Sequence, residues 1–285
     1  TGPVHKQRTY AMVLADHLSD GQVLVLAPGR SMGALETIHY LRVGGATADV
    51  TIVEAQGLPY WFEAVGNTLH LTEAGPVAAA TLPAGRGQVL DALSRFLPNI
   101  QPAISILQSG FSDGSALVEV PALIMGGPAM EDGAIPVPMG AKPLPENQTF
   151  RALIGPEQAS VIATLAEERR EVAKRFGIRD LPTTEAWIDC RAGALKGVGG
   201  RPVPDKAEAK ALLRCGVAGS LVPLVSAARI AGVKTPVTDA MIALVSSVLG
   251  ADIAPTGRRL ESIGVDAKDA DEARQILDSL SRGSR

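Results

Sequence analysis

A chain of 285 residues and 29.5 kDa has room for one large domain or two ordinary ones, and its 46% hydrophobic content supports a sizeable core. A net charge of −3, with no Lys/Arg-rich block, argues against a nucleic-acid footprint or a membrane-surface patch. Cys190 and Cys215 are too few for a disulfide framework and lack CxxC spacing, which leaves a reducing cytoplasm as the expectation. Apolar stretches such as Met241 to Ala251 fall short of the roughly 20 residues that span a bilayer. No basic n-region precedes an apolar core, so a soluble protein without a signal peptide is expected.

In chain order, Lys6 to Ser19 is spaced as an amphipathic helix, with Tyr10, Val13, Leu14 and His17 or Leu18 on one face. Asp20-Gly21 turns into the apolar run Gln22 to Leu26, the pattern of a parallel strand buried on both faces. Pro28-Gly29 ends that strand. Ser31 is placed to cap a helix reaching about Val43, closed by Gly44-Gly45. Val50 to Val53 is a second strand, and Tyr60 to Thr72 holds two short runs around Gly66-Asn67, a hairpin-like excursion. Val77 to Leu82 follows as a strand and Gly87 to Phe96 as a helix with Val89, Leu90, Leu93 and Phe96 inward. Repeated βα units favour a doubly wound parallel sheet.

Beyond residues 108–115 long helical periods dominate. Gly126 to Asn147 is rich in Gly and Pro and reads as a loop. Glu157 to Phe176 is a surface helix with Val161, Ile162, Leu165, Val172 and Phe176 facing in and Glu167 to Glu171 facing water. Helices follow at Thr183 to Ala194, Lys206 to Leu213 and Ser220 to Ala231. Pro236 to Leu249 has Thr235 as its cap, Pro236 in its first turn and Gly250 as its stop; apolar nearly all round, it is expected at the centre of the helical part. Asp266 to Leu280 is an amphipathic closing helix.

Several segments resemble the octopine/nopaline (opine) dehydrogenase family. Gly21 to Gly29 followed by Gly33-Ala-Leu-Glu36 is similar to the family's strand–PG–glycine–helix segment. Glu54 to Tyr60 resembles its "ETxxLPY" stretch, and Leu82-Pro83-Ala84 fits the next strand end. Glu168-Arg169, Gly232 to Pro236 and Gly257 to Gly264 resemble its "ER", "GVxTP" and "GRTLExLG" landmarks, so six landmarks run in order through the chain. The resemblance implies a partial Rossmann-like sheet over residues 1–108 and an all-helical, 6-phosphogluconate-dehydrogenase-like domain over 109–285, with the active cleft between them. Its implied activity is reduction of a C=N (imine) or C=O bond with NAD or NADP, on a small-molecule substrate. The family's opening strand and G-x-G-x-x-G turn, which hold the pyrophosphate, are not found. The opening residues read as the middle of a protein, with on the order of 80–100 residues expected before them. A sheet lacking its first unit would have an open apolar edge, which leaves a homodimer open.

The family places its catalytic His before a Pro early in the helical domain and its Asp in an "R-Y-x-x-E-D-x-P" stretch. Alignment puts Val120-Pro121 on the first motif and Leu212 to Ala218 on the second, so Val120 stands for the His and Gly216 for the Asp. Val120, Pro121 and Gly216 are expected to line the substrate cleft, with no His–carboxylate pair for proton delivery. Glu119 is the nearest titratable substitute, ahead of Tyr60 and Lys142; its bland reading is a solvated helix residue. His5, His17, His39 and His70 read as structural. Pro28, Gly29 and Arg30, at a strand's carboxyl end, are expected at the nicotinamide end of the cofactor, and Glu54 in the same cleft; the bland reading is an ordinary turn. No metal site is expected. Losing the proton donor favours an imine substrate already charged as an iminium. The alternative is a catalytically silent binding or partner subunit that keeps the fold.

Overall fold

The computed structural model describes residues 4–58, 60–73, 76–126, 149–193 and 201–282. A four-stranded sheet runs in the order β1 (Val23–Leu26), β2 (Thr51–Ala55), β5 (Val77–Leu82), β6 (Ile100–Pro102). β1 and β2 are parallel, as are β5 and β6, but β2 and β5 are antiparallel. The exception to the expected all-parallel sheet has a local cause. The chain leaves β2 through the hairpin β3 (Tyr60–Val65) and β4 (Thr68–Glu73) and returns directly beside it, without a crossover helix. Gly66, with φ 58°, supplies the positive dihedral that the hairpin turn requires.

Strand alternation sends side chains to two cores. Ile52, Ala80 and Leu82 pack with α1 (Gln7–Leu14), α2 (Gly33–Val43), α4 (Ile106–Phe111) and α11 (Ala270–Ser281), joined by Val172, Phe176, Leu224, Leu260 and Ile263. Val53, Ala55, Val77 and Ala79 face the other way, onto Leu90 of α3 (Gly87–Leu93). Residues from the second half of the chain thus close one face of the sheet, and the two halves share a core.

β1 lies at the sheet edge with Val23 and Val25 about two-fifths exposed. The expected inner face of the first helix is also outside: Tyr10, Val13 and Leu14 are exposed, while Gln7, Ala11 and Ala15 are buried. The two alanines among them let α1 approach α2 closely. Phe96 is likewise exposed rather than inward, because α3 ends at Leu93.

The second half is helical apart from one isolated bridge, Thr149 to Pro202, among the described residues. Its centre is α5 (Ser115–Gly126), buried from Ser115 through Leu123 and packed on α6 (Pro156–Arg175), α7 (Thr184–Ala192), α8 (Lys206–Gly216) and α10 (Pro236–Leu249). α10 is therefore not central; Leu244 and Val248 are exposed on its outer side. A π-helical turn, Val217–Leu221, links α8 to α9 (Val222–Ala231). The continuous run Lys206–Ala231 is long and apolar enough to cross a membrane, but 78% of its apolar window is buried against other elements, as in a core helix.

Two caps differ from the sequence expectation. Thr235 makes no side-chain cap to α10; Glu168, on α6, accepts from Val237 N at 2.8 Å, Thr238 N at 2.9 Å and Thr238 Oγ1 at 2.6 Å. α2 starts at Gly33 after left-handed Met32, and Ser31 does not cap it. Glu168 and Arg169 also correct the water-facing reading of residues 167–171, since both find their partners inside. Three charge-assisted or capping bonds converge on Glu168, so Glu168→Ala is expected to lower stability by about 2 kcal/mol. Urea denaturation should show this as a lower midpoint with an unchanged slope.

Candidate active site at the domain seam

The loop after β1 carries two residues with positive φ, Arg30 at 60° and Met32 at 64°. A left-handed conformation costs a non-glycine residue roughly 1–2 kcal/mol, so the fold must hold both in place. Gly29 N donates to Ala55 O at 2.8 Å, and Ser31 N donates to Gly219 O in the π turn at 3.0 Å. Gly219 has to be glycine for this approach: a Cβ there would lie 2.8 Å from Val4 and 3.4 Å from Arg30.

From this loop Arg30 reaches across the seam. Its two terminal nitrogens donate to Glu119 Oε2 at 3.4 Å. Arg191 Nη2 and Arg201 Nη1 donate to Glu119 Oε1 at 3.0 and 2.8 Å. Glu119 is fully buried on α5, so the solvated-residue reading is excluded. Burial alone would raise its pKa, but Arg30, Arg201 and Arg191 override it and hold the carboxyl well below the usual range. A carboxylate so held carries no proton to give, which corrects the assignment of Glu119 as the catalytic acid.

A second buried pair lies behind the first. Arg169, 0% exposed, donates to Ser31 Oγ at 3.2 Å, Gly110 O at 3.3 Å, and Ser220 Oγ and O at 3.0 and 3.3 Å. Asp113 accepts from Ser31 Oγ at 3.4 Å, from Ser115 N at 3.1 Å and from Ser115 Oγ. Burial would push Asp113 up, but Arg30 and Arg169 beside it keep its pKa below the ordinary value. Burial lowers Arg169 to about 10, still a cation at neutral pH.

Val120 and Gly216, assigned from the sequence to the family's His and Asp positions, meet across α5 and α8. A Cβ on Gly216 would lie 3.4 Å from Val120 Cγ2 and 3.3 Å from Ala116 Cβ. Both residues and Pro121 are buried in the helical core, so none of the three lines an open cleft. With glycine on one helix and alanine and valine on the other, α5 and α8 pack closely. His5, His17, His39 and His70 lie outside this contact: His5 is beside Cys215, His17 ends the turn after α1, His39 lies against Tyr40, and His70 is on the exposed hairpin. Tyr60 opens β3, and Lys142 lies outside the described residues.

The residues assigned to the cofactor fit a dinucleotide only in part. Pro28 and Gly29 stand at the carboxyl end of β1, but the loop is packed against the helical half, and Arg30 is engaged with Glu119. Glu54 is 0% exposed and accepts from Ala34 N at 2.9 Å, Ser109 Oγ at 2.7 Å and Gln56 Nε2 at 3.2 Å. It caps the amino end of α2 and does not face an open cleft. A cavity of about 120 Å³ remains at the seam, lined by residues including Gln56, Trp187, Cys190 and Arg191, below the roughly 300 Å³ of a typical small-molecule site. Sequence reasoning missed Asp113, Arg169, Arg191 and Arg201. Only Arg169 carried a signal, the "ER" pair, and that pair was read as solvent-facing.

The fold, a Rossmann-like sheet joined to a helical domain, is the one that the structural neighbours share. The chain resembles octopine dehydrogenase, solved with NADH and pyruvate, at a TM-score of 0.67 and 18% identity over 100% of this chain and 77% of that one. Yersinopine dehydrogenase aligns at a TM-score of 0.61 and 12% identity, over 100% and 78% of the two chains. The opine dehydrogenase of Arthrobacter sp. (strain 1C) is 26% identical over 277 residues, 92% of this chain and 73% of that protein. No protein-family model matches. The curated relative, the shared fold and the six landmarks make the chain similar to the octopine/nopaline (opine) dehydrogenases.

Two outcomes follow from the seam. Burial raises Glu54 to about 7, against backbone and hydroxyl donors that lower it. The folded state then binds the proton more tightly than the unfolded chain, so stability is fully present below the unfolded value near 4.5 and is lost as pH rises through about 7. Wild type should lose up to about 3 kcal/mol between pH 4.5 and 8 relative to Glu54→Gln, read from paired denaturation curves. Separately, Glu119→Gln removes the charge that three buried guanidinium groups face, and is expected to destabilise by about 3–5 kcal/mol at neutral pH.

Proposed function

We propose that this chain is an NAD(P)-dependent oxidoreductase that reduces a C=N bond in a small molecule, in preference to a simple ketone. A relative named opine dehydrogenase, and neighbours solved with NADH or with NADP+, support the coarse activity. The observation that carries the finer reading is the packed contact between Val120 and Gly216, with both neighbouring carboxylates held ionised by arginine. A nicotinamide dinucleotide supplies hydride, and reduction of a neutral carbonyl also needs a proton from a group that can hold one. Among the described residues at the seam, Glu119 and Asp113 are kept deprotonated, and Glu54, whose pKa burial raises to about 7, is closed in behind Ala34 and Ser109. An imine already protonated as an iminium asks for no such proton. The chain's own residues then have the task of fixing the seam and excluding water from it.

The closed seam gives some weight to a second reading, a catalytically silent subunit that keeps the fold. Assaying the whole protein with NADH and NADPH separates the two. Preformed cyclic imines are expected to turn over faster than simple 2-keto acids, by the roughly 10²–10⁴-fold that a missing general acid costs the latter. Turnover of 2-keto acids alone would defeat the imine reading. No turnover with cyclic imines, 2-keto acids or amino acid and keto acid mixtures would favour the silent subunit.

A further inference from the structure

The strained loop 28–32 has an unusual property: its four consecutive carbonyls from Pro28 to Ser31 all accept from side chains. Gln7 Nε2 donates to Pro28 O at 3.1 Å, and Gln56 Nε2 donates to Arg30 O at 3.1 Å. Arg258 serves the other two, donating from Nη1 to Gly29 O at 3.4 Å and, more closely, to Ser31 O. The rest of its guanidinium is fixed as well. Nε and Nη2 donate to Glu36 Oε2 at 3.1 and 2.9 Å, and Nη2 also donates to Gln7 Oε1 at 2.9 Å. Arg258 N donates to Ala218 O in the π turn at 2.8 Å. Arg258 is 2% exposed and touches neither Glu119 nor the Val120–Gly216 contact through any of these bonds.

Backbone held in a sparsely populated conformation persists only where its surroundings over-determine it, and such segments cluster at functional sites. Here the two positive-φ residues flank Ser31, and a single planar fork bridges the carbonyls before and between them to Glu36 on α2. Only a guanidinium offers donors in that fixed divergent geometry; an ammonium group is a point charge that cannot serve Glu36 and both carbonyls together. We infer that Arg258 is a positioning residue: through the Gly29 and Ser31 carbonyls it holds the loop in the form that aims Arg30 at Glu119, and so sets the geometry of the seam. The inference rests on the reductase reading for its catalytic consequence, but its structural consequence is independent of that reading.

The test uses Arg258→Lys in the whole protein, with two readouts. Hydrogen–deuterium exchange should quicken in peptides covering residues 27–35 while those covering β5 and α3 keep wild-type rates. With the substrate that wild type turns over best, kcat should fall roughly 10–100-fold, as expected when a reacting geometry is displaced by about an ångström, with KM for the dinucleotide changed less than the kcat. Glu36→Gln, which leaves Arg258 its size but weakens its anchor, should shift the same peptides in the same direction and carries the test if Arg258→Lys does not fold. Unchanged exchange in residues 27–35 of a folded variant would overturn the inference. So would a kcat loss explained entirely by the unfolded fraction. Quicker exchange in the loop, with wild type inert on every substrate, would leave the positioning role standing and remove the reductase reading instead.

Discussion

Burying a carboxylate in a protein interior is tolerable only where cations and hydrogen bonds replace the water it gives up, and Glu119 is the place where this chain meets that condition most heavily. Its three arginines come from separate parts of the sequence: the loop after β1, α7, and the segment before α8. None of them can move away without leaving charge uncompensated. Glu119 on α5 thus ties the sheet half, α7 and the segment before α8 to the central helix, alongside the core that the two halves share. Arg169 and Asp113 repeat the arrangement one layer deeper, using Ser31 and Ser220 as shared partners.

The family landmarks take on physical meaning around that seam. Glu168 caps α10 and so gives the "GVKTP" segment its partner, while its neighbour Arg169 turns inward to the cluster. Glu54 caps α2 from the end of β2. Arg258, in the glycine-flanked segment near the C-terminus, reaches the loop after β1 across 227 positions of sequence. Glu54, Arg169 and Arg258 are each one end of a polar contact withdrawn from water, and each therefore needs its partner.

Val120 and Gly216 meet across α5 and α8 in a buried, apolar contact. Helices with small or branched residues at their contact close to van der Waals distance, which leaves no space for a larger polar pair between them. The charge at this level lies one residue earlier, at Glu119, and points toward the seam where Arg30 enters.

The alternation of apolar runs with glycine and proline was enough to locate β1, β2, β5 and most of the helices, because strand and helix periods are local properties of the chain. The sequence could not show that β5 runs antiparallel to β2, since hairpin return and crossover helix leave similar local patterns on the strand itself. It could not show that Tyr10, Val13 and Leu14 face outward while Gln7 and Ala11 face in, because which stripe of a helix is covered depends on what packs there. Nor could it place Arg169, Arg191 and Arg201 inside. A charged residue on a helix carries no mark of burial in its own neighbourhood; it becomes an interior group only when a distant carboxylate arrives to meet it, and that meeting is decided by tertiary structure alone.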